Sequence, residues 1–242
     1  MVIFEVKMIK IREISVFFPA YNEEKNIRET VLEAKKILER IAEKWEIIVV
    51  NDGSKDKTGQ ISENLAKKEP RIKVFTHSPN RGYGGALKSG FAKAKYEWVA
   101  FTDADGQFDF SEITKFIKKI KEAELVLGYR LTRADSFLRK LFTWGWATLA
   151  KILLGLEARD YSCGFKLIKK EVYQKVQPLV GEEKVTQIEL LVKAKKAGFT
   201  FAEVGVHHYP RKKGQQTGTD FKVISKSLID LIKLWQRLRT TN

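Results

Sequence analysis

Two carboxylates one residue apart follow the apolar run 98–102 of this chain. The run predicts a buried strand, and Asp103 and Asp105 come directly after it. In α/β proteins the carboxyl ends of the strands form the edge where ligands bind, so these acids lie at a candidate site. Carboxylates this close are costly unless a cation lies between them, and Mg²⁺ or Mn²⁺ would satisfy them while neutralising a diphosphate. The alternative is an acidic turn that caps the next helix.

Two earlier strands are predicted to end in residues that suit a nucleoside. Asp52 follows the second apolar run, and Pro19, Tyr21 and Glu23 lie where the first run ends. A tyrosine ring can lie against a base, and a carboxylate can accept hydrogen bonds from a base or a ribose. If parallel strands bring these ends to one rim, an acid there reads the nucleoside while Asp103 and its neighbour hold a metal-diphosphate. For residues 19–24, a turn and the first turn of a helix is the alternative interpretation.

Strand-like and helix-like segments alternate through the first half of the chain, which must position these groups. Strands are predicted at 14–18, 46–50, 72–75, 98–102 and 125–128, with helices from about 24 to 44 and from about 58. This alternation is typical of an α/β protein with a Rossmann-like, mostly parallel sheet and helices on both faces. We expect a main domain over residues 1–215 and a C-terminal basic amphipathic helix within 216–242.

The glycine-rich segment 81–90 does not match the common nucleotide-binding loops. Its glycines lack the G-x-G-x-x-G spacing, which argues against a nicotinamide site. A Walker-type loop is excluded because Leu87 precedes Lys88, so no Gly-Lys-Ser/Thr triplet ends the run. The glycines instead permit a helix to begin close to a bound nucleotide or to pack tightly on the sheet.

Composition favours a polyanionic partner. The 242 residues carry a formal net charge of +15, which would attract nucleic acid, an anionic membrane surface or a phosphorylated substrate. The single Cys163 cannot form an internal disulfide, and no cleavable leader is recognised, so we expect a cytoplasmic setting. Segment 136–156 is apolar, but its longest charge-free run, 141–150, has ten residues, about half of what a membrane span needs.

The tail 221–239 has apolar residues at three- and four-residue spacing and lysines and arginines on another face. Such a helix either rests on anionic lipid or docks on its own domain, and the pattern leaves both open. His207 and His208 would point to opposite faces of a continuing strand, so we expect packing or hydrogen-bonding roles for them rather than a shared metal.

Taken together, four segments resemble family 2 of the inverting nucleotide-sugar glycosyltransferases, which have the GT-A fold. The segments are 18–23 (FPAYNE), 50–56 (VNDGSKD), 80–86 (NRGYGGA) and 103–107 (DADGQ). Within that family, residues 128–130 (GYR), Arg139 and residues 160–166 (DYSCGFK) are similar to the dolichyl-phosphate mannose and glucose synthase branch. The match covers nearly the whole chain, and the joint occurrence in this order is more specific than any single motif.

The resemblance implies a role for each matching position. The nucleotide would be bound by Pro19, Tyr21, Glu23, Asp52, Asp103, Ala104 and Asp105. A divalent ion, Mg²⁺ or Mn²⁺, would be held by Asp103, Asp105 and Gln107. The acceptor phosphate would be gripped by Arg130, Arg139, Thr143 and Arg211. Catalysis would then rest on Asp103, Asp105 and the three arginines.

The implied reaction moves a hexose from a nucleoside-diphosphate sugar to dolichyl or another polyprenyl phosphate with inversion. A lipid phosphate is already mostly ionised near neutral pH and needs no general base, and arginines suit phosphate. GDP-mannose is the favoured donor and UDP-glucose the alternative, although residues 163–166 (CGFK) are closer to glucose-transferring members. The enzyme would sit peripherally on the cytoplasmic face of a membrane, through Phe137, Leu141, Trp144 and Trp146 with the basic tail, or through a membrane-anchoring partner.

Two other functions are open. A family 2 enzyme acting on a polysaccharide or protein would need a carboxylate base for a neutral hydroxyl, which leaves the surplus of arginine and lysine unexplained. A non-enzymatic module that binds nucleic acid or a membrane surface would suit the positive charge. The acidic rim would repel phosphate without a metal, so we expect no nucleic-acid partner.

Overall fold

The described part of the chain contains seven strands, six helices and a further helical segment at residues 232–237. The computed structural model describes residues 10–131, 148, 151, 155, 158–183, 185–211, 213 and 232–237. The strands are β1 (Ile11–Ala20), β2 (Ala42–Asn51), β3 (Ile72–Thr76), β4 (Trp98–Phe101), β5 (Leu125–Arg130), β6 (Lys166–Lys169) and β7 (Phe201–Val206). The helices are α1 (Ile27–Ile41), α2 (Thr58–Lys68), α3 (Gly82–Lys93), α4 (Ile113–Ile117), α5 (Lys170–Lys175) and α6 (Val185–Lys196), with a 3₁₀ turn at Phe110–Glu112.

The strands form one sheet in the order β3-β2-β1-β4-β6-β5-β7. Every neighbouring pair is parallel except the two that involve β6, which runs antiparallel to both β4 and β5. The predicted mostly parallel sheet is therefore confirmed. Because β2 lies on one side of β1 and β4 on the other, the connections diverge at β1, and their loops open a crevice at the carboxyl ends.

Both faces of the sheet are covered, as its apolar strands predict. Val16 and Phe18 of β1 join one buried cluster with residues of α1, α2 and α4, whereas Phe17 joins a second cluster with residues of α3, α5 and α6. Alternate residues of a strand point to opposite faces, so a strand that is apolar at every position must have a helix layer on each side. This packing makes the sheet a rigid base for the loops at its edge.

The first helix is shorter than predicted. It covers Ile27–Ile41 rather than about 24 to 44, and Ala42 already has extended backbone. The cause is strand pairing, since Ile11 of β1 is aligned with Ala42 and the ladder continues from there. Residues 42–44 therefore join β2 although their types favour a helix. Strand β6 and helix α6 have no counterpart in the sequence prediction.

The C-terminal helix and the domain boundary are only partly within the described residues. Residues 232–237 are helical, and Leu234 is 3% exposed within the second buried cluster. This turn of the tail therefore docks on the domain, which is one of the two expected roles. The predicted membrane-facing residues at 137, 141, 144 and 146 lie outside the described ranges. Within those ranges, the helices are each too short or too polar to cross a bilayer.

Candidate active site

The crevice is formed where β1, β2 and β4 end. The backbone N–H of Asp52 donates to the Ala20 carbonyl over 2.9 Å, which keeps the ends of β2 and β1 side by side. Asp103 follows β4 after a single intervening residue, and Tyr21 and Glu23 follow β1. Pro19 is buried within β1, whereas Tyr21 is 37% exposed. The structure thus brings together the residues predicted to bind a nucleotide.

The acidic pair is held by neighbours from distant parts of the chain. Tyr83 of α3 donates its hydroxyl to Asp103 Oδ1 over 3.1 Å, and Gln187 of α6 donates to the Tyr83 oxygen over 3.1 Å. The backbone N–H of Gln107 donates to Asp105 Oδ1 over 3.0 Å. The Gln107 side chain donates to the Tyr209 carbonyl over 2.8 Å and so connects this loop to the segment after β7.

The surroundings of the acidic pair disfavour two negative charges. Burial, followed by the charge of Asp103, raises the pKa of Asp105 to about 7. Glu23 acts in the same direction, while the hydrogen bond from Gln107 and the charge of Arg211 oppose it. Burial and the adjacent Asp103 carboxylate also raise the pKa of Tyr83 well above its usual value, which keeps its hydroxyl a hydrogen-bond donor.

The donor set suits a divalent cation. Asp103 and Asp105 supply carboxylate oxygens on one loop, and a hard cation such as Mg²⁺ or Mn²⁺ binds oxygen and is commonly completed by substrate phosphates. A cation there would relieve the repulsion that raises the Asp105 pKa. No cluster of three acidic, histidine or cysteine ligands occurs among the described residues, so a metal here would need oxygens from the nucleotide or the Gln107 amide. Gln107 remains a predicted ligand.

A glycine makes room for the first acid of the pair. A Cβ placed on Gly164 would lie 2.3 Å from Asp103 Oδ2 and 2.6 Å from Asp103 Cγ. Any side chain at Gly164 would therefore displace the carboxylate. The loop that carries Gly164 is supported by Lys166, which is fully buried and donates to the carbonyls of Tyr161 and Cys163 and to Gln187 Oε1. Burial lowers the pKa of this lysine.

Asp52 lies on the opposite wall of the crevice and is 3% exposed. Its Oδ1 contacts His77 Nδ1 at 2.6 Å and accepts from the backbone N–H of Arg81 over 2.9 Å. The Asp52 carbonyl accepts from the Asn80 side chain over 2.6 Å. The carboxylate thus has a fixed orientation at the end of β2, as a group that reads a base requires.

Glu23 is engaged by an arginine from the far end of the chain. Arg211 Nη2 lies 2.7 Å from both Glu23 oxygens, and Arg211 Nη1 lies 4.0 Å from Asp105 Oδ2. Asn26 also donates to Glu23 Oε2 over 2.8 Å. Arg211, predicted for the acceptor phosphate, therefore contacts the nucleotide side of the crevice here. Ala104, between the two acids, is buried, and its carbonyl accepts from Thr30 over 3.4 Å.

Arg130 forms the third group of contacts, at the end of β5. It donates to Asp160 through Nε at 2.7 Å and Nη2 at 3.0 Å, and Nη2 also donates to Ser162 Oγ over 2.9 Å. This planar fork fixes the guanidinium orientation, which a lysine could not reproduce. Arg139 and Thr143, predicted to join the same phosphate site, lie outside the described residues.

The histidines after β7 have the roles expected of them. The backbone N–H of His207 donates to Glu112 Oε2 over 2.8 Å, and His207 Nδ1 lies 2.9 Å from Glu112 Oε1. His208 packs its ring on Phe108 at 4.9 Å between centroids. Their predicted packing and hydrogen-bonding roles are confirmed.

Several residues of the crevice had no predicted role, namely His77, Tyr83, Asp160, Ser162 and Gln187. His77 directly follows β3 as Asp52 follows β2, and this shared position was a usable signal. Tyr83 lies within a segment that carried the resemblance. Gln187 gives no local signal, because it reaches the acidic pair only through the packing of α6 on α3.

Comparison with known proteins relates this arrangement to one family. Residues 15–177 match the family model described as glycosyl transferase family 2. The matched region contains Asp52, the acidic pair, Arg130 and Lys166, and therefore most of the crevice.

The curated relatives have related names. The chain is 32% identical to the dolichyl-phosphate beta-glucosyltransferase of Dictyostelium discoideum, over 80% of this chain and 65% of that protein. It is 33% identical to dolichyl-phosphate beta-glucosyltransferase ALG5A of Trichomonas vaginalis, over 91% of this chain and 72% of that protein. The human dolichyl-phosphate beta-glucosyltransferase is 30% identical, over 81% and 67%. The chain thus spans about two thirds of the length of these relatives.

The fold also matches solved structures. A glucosyl-3-phosphoglycerate synthase from Mycobacterium tuberculosis, in complex with Mn²⁺, uridine diphosphate and glucosyl-3-phosphoglycerate, superimposes with a TM-score of 0.70. The match covers 91% of this chain and 78% of that one at 20% sequence identity. The same enzyme with Mg²⁺ and uridine diphosphate gives 0.72 over 93% and 80% at 17% identity. At these identities the likeness concerns the fold, and it supports the GT-A architecture expected from the sequence.

Proposed function

This chain belongs to glycosyltransferase family 2, and we propose that it transfers glucose from UDP-glucose to dolichyl or another polyprenyl phosphate with inversion. The observation that carries the proposal is the crevice itself, in which Asp52 and the Asp103–Asp105 pair face one rim while the fixed guanidinium of Arg130 stands at the end of β5. In this arrangement Asp52 would bind the nucleoside, and the acidic pair would bind the diphosphate through a metal ion. The guanidinium of Arg130 would bind a second phosphate.

Glucose replaces mannose as the preferred sugar. The sequence favoured GDP-mannose, but that donor is not supported, because the curated relatives described above are named glucosyltransferases. The same names support dolichyl phosphate as the acceptor. One motif of the chain agrees with glucose, since residues 163–166 (CGFK) resemble glucose-transferring members of the family more closely than mannose-transferring ones.

The reaction needs positioning more than proton transfer. An oxygen of the lipid phosphate attacks the anomeric carbon of glucose, a new C–O bond forms, and the bond from that carbon to the diphosphate oxygen breaks on the opposite face. The nucleoside diphosphate leaves with the bonding electron pair, and the anomeric centre is inverted. Since the attacking phosphate is already ionised, no general base is required, which suits a crevice whose acids are placed for nucleotide and metal.

Each residue of the crevice then has a task. Asp103 and Asp105 would hold Mg²⁺ or Mn²⁺, which when bound supplies positive charge that stabilises the departing diphosphate. Glu23 and Asp52 would bind the nucleoside, with Pro19 and Tyr21 lining its pocket. Arg130 would hold the acceptor phosphate, its orientation fixed by Asp160. Arg211 would join Arg130 once it leaves Glu23, and Arg139 and Thr143 remain predicted members of that phosphate site.

A peripheral position at a membrane is part of the proposal, because the acceptor is a lipid. The net charge of +15 is consistent with an anionic surface. We further propose that the enzyme works on the cytoplasmic face, either directly or through a membrane-anchoring partner.

The test is a parallel assay of donors. The protein is incubated with labelled UDP-glucose or GDP-mannose, dolichyl phosphate and Mn²⁺ or Mg²⁺, and label is measured in solvent-extracted lipid. We expect lipid label from UDP-glucose that disappears with EDTA. Label from GDP-mannose alone would reverse the donor assignment, and absence of lipid label from both donors would overturn the proposed acceptor.

A further inference from the structure

The two carboxylate oxygens of Asp52 differ in their hydrogen bonds. One is occupied by a buried histidine that has no assigned role, and the other is unused. A carboxylate oxygen offers two lone-pair sites. Both sites of Asp52 Oδ1 are taken, one by His77 Nδ1 at 2.6 Å and one by the backbone N–H of Arg81 at 2.9 Å. Oδ2 has no hydrogen-bond partner among the described residues. It is also not among the polar side-chain atoms of those residues that are both buried from solvent and without a partner. Asp52 therefore presents a single acceptor atom to the crevice.

His77 is itself held in place. It is 4% exposed, and its Nε2 lies 2.8 Å from Ser89 Oγ on α3. A carboxylate can only accept, so the proton between the two side chains belongs to Nδ1 of the histidine. In the neutral ring, Nε2 then accepts from the Ser89 hydroxyl. The chain Ser89–His77–Asp52 thus fixes the ring by a bond at each nitrogen, which is how one imidazole tautomer is selected.

The remaining polar atoms of Asp52 are also committed. Its backbone N–H donates to the Ala20 carbonyl over 2.9 Å, and its carbonyl accepts from Asn80 over 2.6 Å. The side chain therefore cannot turn to expose Oδ1 without breaking the contacts with His77 and Arg81. Breaking these buried charge-assisted hydrogen bonds is unfavourable, which keeps the carboxylate in this orientation.

Nucleobases differ in how many donors they present to such a group. Uracil has one ring N–H between two carbonyl oxygens, which matches one free acceptor. Guanine presents a ring N–H beside an amino group, and these two parallel donors match both oxygens of a carboxylate. With Oδ1 already saturated, guanine would bring its second donor to an oxygen that has no lone pair left. A buried donor without a partner weakens binding.

We propose that His77, fixed by Ser89, is a positioning residue that makes this site select a uracil nucleotide over a guanine nucleotide. It acts through Asp52 and does not itself contact the substrate. The inference rests on the proposed function, because it assumes that Asp52 binds the base of the donor. It goes further by assigning base selectivity to a side chain outside the nucleotide-binding motifs.

The experiment measures the dissociation constants of UDP and GDP with Mn²⁺ by calorimetry, without lipid. We expect the unaltered protein to bind UDP at least about tenfold tighter than GDP, which corresponds to about 1.4 kcal/mol. In His77→Leu the ratio falls to within about threefold, because Oδ1 becomes available for a second donor. In His77→Asn it recovers, since the amide nitrogen of asparagine stands near the position of Nδ1 and can donate to Asp52. If His77 had a purely structural role, His77→Leu would weaken the binding of UDP and of GDP equally. The ratio of their dissociation constants would then be unchanged, which would overturn the proposal.

A second variant protects the test if His77→Leu does not fold. Ser89→Ala removes only the hydrogen bond between Ser89 and His77 Nε2, and we expect it to lower the preference for UDP over GDP partially. Its matched control is Ser62→Ala, which removes a buried hydroxyl that donates to the Thr58 carbonyl on α2. If Ser89→Ala leaves the ratio at the control value, the proposal is wrong.

The outcomes separate this inference from the proposed function. A preference for UDP that His77→Leu abolishes supports the inference even if no glucose reaches lipid phosphate, and in that case the acceptor is wrong. A preference for GDP, or a preference for UDP that His77→Leu or Ser89→Ala leaves unchanged, overturns the inference while lipid transfer can still be measured. Failure to bind either nucleotide overturns both.

Discussion

Arg211 holds the carboxylate of Glu23 at 2.7 Å from each oxygen, and the same guanidinium lies 4.0 Å from Asp105. The arginine side chain is only 11% exposed. This cation therefore partly neutralises the two acids that the proposal assigns to donor and metal. Binding of the donor together with its metal ion would replace Arg211 by the metal charge at Asp105 and by hydrogen bonds from the nucleoside at Glu23, and would release Arg211 towards the acceptor phosphate.

The exchange predicts opposite effects of one substitution on binding and on transfer. In Arg211→Ala, affinity for UDP-glucose with Mn²⁺ should be unchanged or tighter, because Glu23 and Asp105 no longer have a competing cation. Glucose transfer should fall about a hundredfold, as for loss of one group that stabilises a transition state. Calorimetry and the lipid assay measure the two quantities. Lys213→Ala, which removes a cation of the same segment that pairs with Glu29 at 3.1 Å, is the matched control. A parallel loss of donor affinity and transfer in Arg211→Ala would contradict the exchange.

Removal of one acid should abolish metal-dependent binding. In Asp105→Asn, Mn²⁺ should improve UDP-glucose affinity by less than about threefold, because one of the two carboxylates of the proposed centre has lost its charge. Asp109→Asn is the control on the same loop, since Asp109 is exposed and accepts from the Ser111 backbone N–H, outside the crevice. Calorimetry with and without Mn²⁺ decides the matter. Full metal dependence in Asp105→Asn would place the metal elsewhere.

The raised pKa of Asp105 predicts how metal-dependent binding varies with pH. Its pKa of about 7 means that the group is largely protonated below neutrality in the metal-free protein. Because the metal requires the ionised carboxylate, its binding must release that proton, and affinity should increase as the pH rises through about 7. UDP-glucose is the suitable ligand, since its diphosphate has no group that titrates near neutrality. We expect proton release in calorimetry below neutral pH and little above it. Constant affinity across this range would contradict the assignment.

A stability prediction concerns Lys166, the buried lysine that supports the loop next to Asp103. Lys166→Met keeps the length of the side chain but leaves the carbonyls of Tyr161 and Cys163 and the Gln187 amide oxygen without their donor. We expect the free energy of unfolding to fall by about 2–4 kcal/mol in urea titrations. Lys169→Met is the control on the same strand, where the side chain is partly exposed and pairs with Glu171 at 3.3 Å. Equal stability of the two variants would show that the buried hydrogen bonds of Lys166 contribute little.

Residues at strand ends were predictable, because an apolar run followed by acids is visible in the sequence alone. Asp52, Asp103 and Asp105 were therefore expected at one edge of the sheet, because parallel strands end on the same side. The groups that orient them were mostly not predictable, since Gln187 and Tyr83 come from helices whose approach depends on packing across the sheet. The contact of Arg211 with Glu23 joins residues 188 positions apart and depends on the path of the chain after β7. Local propensity also failed at residues 42–44, where pairing with β1 overrides helix-favouring residue types.

The most direct test of the account is the chemical form of the glucosylated lipid. Labelled UDP-glucose and Mn²⁺ are supplied with either dolichyl phosphate or dolichol, and the extracted lipid is analysed for its linkage and anomeric configuration. We predict label only with dolichyl phosphate, as a β-glucosyl phosphate formed by a single inverting displacement. Label on dolichol, or an α-linked product, would contradict a mechanism in which an ionised lipid phosphate attacks in line.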